Sequence, residues 1–75
     1  MIPSKEIGAL IRIRRKNKKL SQKQLSEKIF GNENHNASIS RIEKGDWENS
    51  KFITIYNILK ALDVELISVI KKIKY

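Results

Sequence analysis

The sequence contains no cysteine and a single histidine, His35. The absence of cysteine excludes disulfide bonds and thiolate metal sites, and one imidazole cannot form a zinc site on its own. We therefore expect neither a metal nor another cofactor. The sequence also lacks a stretch of about 18 consecutive apolar residues, and its first residues lack an apolar run of signal-peptide length. These absences predict a cytoplasmic protein that does not span a membrane.

Signatures of catalysis are missing as well. The sequence shows no nucleophile–base arrangement and no glycine-rich phosphate loop. The acidic residues Asp46, Glu48, Asp63 and Glu65 do not have the spacing of a catalytic carboxylate pair. We therefore expect that the protein is not an enzyme.

Positive charge is what the sequence has in excess. Its 75 residues suit one small domain, and they carry a net charge of +8. Residues 1–30 hold nine basic and two acidic side chains, whereas residues 31–75 hold seven and six. Basic charge concentrated in one half of a small domain is typical of a protein that binds a polyanion. A lysine-rich surface that is merely solvated is the alternative.

Apolar residues recur at helical spacing in four segments, which cover residues 5–17, 21–30, 35–44 and 51–62. Each segment predicts an amphipathic helix with one buried side. The positions predicted to face the core in the first and fourth helices are Ile7, Leu10, Ile11, Arg14, Phe52, Ile55, Tyr56, Ile58, Leu59 and Leu62.

Local signals mark the ends of these helices. Ser21 and Gln24 have the spacing of a capping box at the start of the second helix. Gly31 and Gly45 are placed to end the second and third helices in the left-handed conformation. A polar residue at position 49 or 50 is the expected N-cap of the fourth helix.

The third predicted helix, residues 35–44, has a face suited to reading DNA. Ile39 and Ile42 are three residues apart, so both can be buried on one side of this helix. Small polar groups and an arginine then face outward, as a helix that reads base edges in the major groove requires. These outward positions are Asn36, Ala37, Ser40 and Arg41. The pattern predicts a recognition helix.

The C-terminal segment, residues 64–75, is rich in β-branched residues. Its residue types favour a strand. A helix is the alternative, because Leu62, Leu66, Val69 and Ile73 also fit a helical stripe. A lone strand needs a partner for its backbone groups, and a second copy of the protein supplies an identical strand. We therefore expect a homodimer whose strands pair through Val64, Leu66, Ile67, Val69, Ile70 and Ile73.

Two stretches of the sequence resemble the Cro/C1-type (XRE) helix-turn-helix family. They are Leu-Ser-Gln-Lys-Gln-Leu-Ser-Glu-Lys-Ile at residues 20–29 and Ile-Ser-Arg-Ile-Glu-Lys-Gly at residues 39–45. The resemblance implies an all-α fold, a compact lambda-repressor-like bundle of four or five helices. Residues 1–63 would form the DNA-binding domain and residues 64–75 the dimerisation strand. It also implies a homodimer that binds double-stranded operator DNA with two-fold symmetry as a transcriptional repressor.

The resemblance also gives roles to matching positions. Asn36, Ala37 and Arg41 match the usual base-facing positions, and Ser40 lies beside them. Gln22 matches a glutamine that contacts a phosphate, and Arg15 and Glu43 match an arginine–glutamate pair that links the first helix to the third. The phosphate-binding candidates are Ser21, Gln22, Lys23, Lys18, Lys44 and Lys51.

The sequence departs from the family pattern in two places that matter for the site. Nine residues separate Ile29 from Ile39, more than the family usually has there, so the start of the recognition helix is set only to within two residues. Lys19 stands where the family commonly has glycine.

A second function class competes with the repressor. A fourth helix followed directly by a β-branched strand is similar to the layout of HipB-type antitoxins, which would make a toxin protein a second partner. DNA binding would then serve autoregulation. Binding of single-stranded nucleic acid is a weaker alternative, because the sequence has few aromatic residues and no stacking platform.

Overall fold

The computed structural model describes residues 4–48 and 51–64 of the chain. In these ranges the backbone forms four α-helices: α1 (Ser4–Asn17), α2 (Gln22–Phe30), α3 (Asn36–Glu43) and α4 (Phe52–Ala61). One turn of 3-10 helix, Glu33–His35, leads directly into α3. The predicted all-α architecture is therefore confirmed for the described residues, where no helix is long and apolar enough to cross a membrane.

The predicted C-terminal strand falls almost entirely outside the described residues. Val64 is described, and it is buried in the core of its own chain. The other residues assigned to strand pairing lie beyond residue 64: Leu66, Ile67, Val69, Ile70 and Ile73. The strand and its pairing in a dimer remain predictions.

The four helices enclose one hydrophobic core. Its buried members are Ile7, Ile11, Leu25, Ile39, Ile42, Ile55, Ile58, Leu59, Leu62 and Val64. Burying one such side chain contributes roughly 1.5–3 kcal/mol relative to leaving it exposed. The spacing of these residues therefore decides which side of each helix faces inward, as the sequence predicted for most of them.

Two residues predicted to face the core do not. Phe52 is the first residue of α4, and it is 77% exposed because the buried side of α4 begins three residues later, at Ile55. Arg14 is exposed on α1, where the buried side continues instead from Ile11 to Arg15, one helical turn later. A guanidinium thus occupies a position at which an apolar side chain is the usual occupant.

The first helix packs closely against the C-terminal end of α3. A Cβ atom at Gly8 would lie 2.5 Å from the carbonyl oxygen of Ile42 and 2.7 Å from that of Glu43. Only a residue without a side chain permits this approach. Gly45, which follows α3 at a φ of 87°, lies against Lys5 in the first turn of α1. Together the two glycines set the distance between α1 and the end of α3.

Each of the four helices is followed, one or two residues after its last residue, by a residue with left-handed backbone. These residues are Gly31 and Gly45, as predicted, together with Lys19 and Asp63. At the end of α1 the amide of Lys19 donates to the carbonyl of Lys16 at 2.9 Å, and the next amide donates to the carbonyl of Arg15 at 3.1 Å. This two-bond pattern satisfies carbonyls that a helix end leaves free, and α4 ends in the same way.

The starts of α2 and α4 differ. The predicted capping box is confirmed at α2, where the Gln24 amide donates to the Ser21 hydroxyl at 3.0 Å and the Gln24 side chain accepts from the Ser21 amide at 2.8 Å. The N-cap of α4 is Lys51, so the expectation of a cap at position 49 or 50 is wrong. Lysine has no side-chain acceptor, so α4 begins without a side-chain cap, and its buried residues Ile55, Ile58 and Leu59 pack in the core.

Replacing Lys19 with glycine should stabilise the protein. Lys19 adopts a φ of 58°, a conformation that costs a residue with a Cβ atom roughly 1–2 kcal/mol. Lys19→Gly removes this cost but adds conformational entropy to the unfolded chain, for an expected net gain of about 0.5–1 kcal/mol. Urea unfolding should show a higher midpoint. Lys19→Ala is the control: it removes the charge but keeps the Cβ atom and should not stabilise, whereas an unchanged midpoint for Lys19→Gly would contradict this explanation.

Candidate nucleic-acid interface

A buried ion pair joins α1 to the last residue of α3. The guanidinium of Arg15 donates from Nε to Oε2 of Glu43 at 2.6 Å and from Nη2 to Oε1 at 3.1 Å. Its third nitrogen, Nη1, donates to the carbonyl oxygen of Leu20 at 2.8 Å. The two side chains are only 9% and 3% exposed. The family resemblance predicted this pair, and the structure brings its two members together in a bidentate arrangement.

Gln22 extends this network to the start of α2. Its side-chain amide donates to Oε1 of Glu43 at 3.2 Å. A glutamine amide has two N–H donors and an oxygen, so this bond fixes the orientation of the group and leaves one donor for an external acceptor. The network therefore couples the first turn of α2 to the end of α3.

The first turn of α2 has backbone amides without an intrahelical partner. The capping box occupies the amides of Ser21 and Gln24, whereas the intervening amides of Gln22 and Lys23 are the ones that a helix start leaves without an intrahelical partner. The positive end of the helix dipole lies at the same place. A phosphate at this position would meet two backbone donors.

The long turn between α2 and α3 is held by one buried hydroxyl. Ser26 donates to the carbonyl oxygen of Asn32 at 2.7 Å and accepts from the backbone amide of His35 at 3.1 Å. Both ends of the inserted segment are therefore anchored to α2. The segment forms the 3-10 turn, and α3 begins at Asn36, one residue later than the predicted start of the recognition helix.

The outward side of α3 is polar and basic. Ile39 and Ile42 are fully buried, as predicted. Of the predicted base-reading residues, Ala37 and Arg41 are exposed, whereas Asn36 and Ser40 are half-buried, and the exposed Lys44 lies three residues after Arg41. Ala37, Arg41 and Lys44 are spaced by four and three residues, so they share one face of the helix.

A surface depression lies beside this face. It encloses about 220 Å³, and its lining residues are Arg12, Arg15, Gln22, Ser40, Glu43 and Lys44. Because Arg15 and Glu43 neutralise each other, Arg12 and Lys44 give the depression a positive charge. Arg12 was not among the predicted site residues. Its position three residues before Arg15 on α1 is the signal that would have found it.

Three predicted phosphate-binding lysines lie elsewhere. Lys23 and Lys51 are exposed but do not line the depression. Lys18 donates from Nζ to Oδ2 of Asp63 at 2.7 Å, which ties the end of α1 to the end of α4. The hydrogen bond and the positive charge of Lys18 lower the pKa of Asp63 from its usual value. The sequence did not predict this ion pair, which partly neutralises Lys18 as a candidate phosphate contact.

Trp47 and His35 both have structural contacts. Trp47 packs over the core, and its indole Nε1 donates to the carbonyl oxygen of Ile42 at 3.0 Å. His35 is exposed, and its ring lies 4.4 Å from that of Phe30 between centroids. No cluster of three or more potential metal ligands exists among residues 4–48 and 51–64.

A family model described as helix-turn-helix matches residues 11–68. The match covers most of the chain, including both sequence stretches that resemble the Cro/C1-type proteins, so the chain belongs to this family. The family is one of DNA-binding proteins that regulate transcription, and DNA is accordingly the partner of this chain. Comparison with curated proteins and with solved structures gave no match.

Removing one partner of the ion pair should destabilise the protein strongly, whereas removing both partners should cost much less. Glu43→Gln leaves the Arg15 guanidinium buried without its countercharge, and such a loss costs about 3–5 kcal/mol. The double variant Arg15→Met/Glu43→Leu removes both charges and should recover most of this free energy of unfolding. Urea unfolding of the single and double variants measures both effects. A cost below about 1 kcal/mol for Glu43→Gln is the value of an exposed pair and would contradict the buried arrangement.

Proposed function

We propose that the protein is a sequence-specific transcriptional repressor that binds a palindromic operator as a homodimer. The observation that carries this proposal is the exposed face of α3, with Ala37, Arg41 and Lys44 in one row, held beside a basic depression by the Arg15–Glu43 pair. A rigid helix with one arginine and small neighbours on its outer face matches the dimensions and chemistry of the major groove.

Arg41 is the principal base-reading residue in this proposal. Its guanidinium is exposed near the C-terminal end of α3, and two of its donors match the O6 and N7 acceptors of guanine. Ala37 leaves room for a thymine methyl group. Asn36 and Ser40 are half-buried, so they would reach bases or sugars from the sides of the row.

The phosphate contacts are proposed for the first turn of α2 and the rim of the depression. Gln22 has a free donor beside two backbone amides, and Ser21 has a hydroxyl hydrogen at the same helix start. Lys44 and Arg12 supply positive charge next to these groups. Contacts of this kind position a protein on the duplex and make its affinity sensitive to salt, without selecting a sequence.

A homodimer would place two copies of α3 in successive major grooves, about 34 Å apart. Val64 is anchored in the core of its own chain, so the segment after it leaves from a fixed point beyond α4. The composition of that segment supports strand pairing between two copies.

The antitoxin alternative concerns the same protein with an additional partner. It rests on the layout of residues 52–75. Residues 65–75 of this segment lie outside the described residues. Co-purification of a larger protein with this chain from its natural source would favour it over a repressor that acts alone.

Replacing Arg41 with alanine tests the base-reading role. Arg41→Ala should weaken binding to the preferred duplex by about 1–3 kcal/mol and relax the preference at one base pair of each half-site. Selection of bound duplexes from a random pool measures both effects. Arg14→Ala is the matched control, because Arg14 is an exposed arginine outside the depression and the α3 face. An unchanged base preference for Arg41→Ala would refute the role.

Deleting residues 66–75 tests the proposed dimer. The truncated chain keeps Val64 and the whole described core, so it should retain its helical circular dichroism. Sedimentation should then show a monomer, because the strand that pairs the two copies is gone. A truncated chain that still sediments as a dimer would place the dimer contact elsewhere.

A further inference from the structure

The 3-10 turn before α3 extends the exposed surface of that helix by one residue. Asn34 precedes Ala37 by three positions, and the turn runs into α3 without an intervening residue. Side chains three apart eclipse each other in a 3-10 helix, and side chains three and four apart share a face of an α-helix. Ala37, Arg41 and Lys44 form one row, Asn34 precedes this row at the N-terminal end of α3, and all four residues are exposed.

We infer that Asn34 is a specificity-determining residue that reads an adenine at one end of each half-site. This inference rests on the proposed function and adds a contact to it. The stretch from Asn34 to Lys44 is about 15 Å long at the rise of a helix, which equals the length of four to five stacked base pairs at about 3.4 Å each. Residues at the N-terminal end of a recognition helix contact base edges, and Asn34 lies at that end.

The turn that carries Asn34 is held in place by other groups. Ser26, which is fully buried, bonds both Asn32 and His35, and the Asn32 side chain accepts from the backbone amide of Asn34 at 2.9 Å. Phe30 lies against the ring of His35. The backbone of Asn34, not its side chain, is thus used to hold the turn. Its side-chain amide is presented on a backbone that needs no ordering when DNA binds.

Chemistry favours a base edge over a phosphate as the target of Asn34. The neighbouring residue is Glu33, and residues 31–34 contain no cation, so this turn has no electrostatic attraction for the DNA backbone. An asparagine amide offers one acceptor and a donor side by side, which match N6 and N7 of adenine. Asn34 is therefore suited to selecting a base and poorly suited to adding non-specific affinity.

Selection from a random duplex pool with three full-length proteins tests this inference. The wild-type chain should select an adenine about three base pairs from the position that Arg41→Ala relaxes, because seven residues of helix span roughly 10 Å. Asn34→Ala should lose the preference there by roughly tenfold to a hundredfold and keep the rest of the site. Asn34→Asp should shift the preference toward cytosine, because a carboxylate accepts from the cytosine amino group. Asn57→Ala is the matched control, an exposed asparagine on α4, and should select the wild-type site.

The outcomes separate this inference from the proposed function. If the wild-type chain enriches no duplex sequence, the proposed function fails. If it enriches a site that Asn34→Ala and Asn34→Asp select equally well, the proposed function stands and the role of Asn34 is overturned. A loss of affinity by Asn34→Ala that is equal for all sequences would mean a phosphate contact and would also overturn base reading. Only a change confined to one base pair supports the inference.

Discussion

The Arg15–Glu43 ion pair is the constraint on which the arrangement of the other parts depends. It places a charged group on the buried side of α1 and a carboxylate at the end of α3, and each makes three hydrogen bonds. Among the described residues, no buried side-chain nitrogen or oxygen is left without a partner. A buried pair of this kind adds little net stability compared with apolar packing, but it penalises every arrangement that separates its members. The main effect of the ion pair is therefore to fix the orientation of α3.

The helix is held at both ends by polar contacts of different kinds. At its C-terminal end, Glu43 bonds Arg15 and Gln22, and the indole of Trp47 bonds the Ile42 carbonyl. At its N-terminal end, the Ser26 hydroxyl holds the turn that precedes it. Apolar contacts of the buried isoleucines fix the side of α3 that faces inward. The outer face is thus presented in one orientation, which reduces the ordering cost of binding.

Sequence patterns were sufficient to predict where the helices lie, but they were insufficient to predict the connections and contacts between the helices. The spacing of the isoleucines predicted the buried side of α3, and Ser21 with Gln24 predicted the start of α2, because both signals depend on residues within one helix turn. Phe52 was assigned to the core because its spacing fitted, although a residue in the first turn of a helix can lie beyond the core it precedes. Contacts between distant segments, such as Lys18 with Asp63, leave no periodic signal.

The features of the candidate site also divide into those that the sequence predicted and those that depend on tertiary packing. The pair of Arg15 with Glu43 was available from the family resemblance, whereas Arg12 joins the site only because α1 packs across the end of α3 at Gly8. The extra residues between α2 and α3 were visible in the sequence, but their 3-10 conformation depends on a buried hydroxyl from the preceding helix. Both features arise from tertiary packing.

In the proposed binding mode, the outer face of α3 and the first turn of α2 lie against duplex DNA. Titration of a ¹⁵N-labelled chain with its selected duplex, followed by amide chemical shifts, tests it most directly. The account predicts the largest shifts at Gln22, Lys23, Ala37 and Arg41, with small shifts along the exposed side of α4 at Asn57 and Lys60. Shifts concentrated on α4, with α3 unaffected, would contradict it.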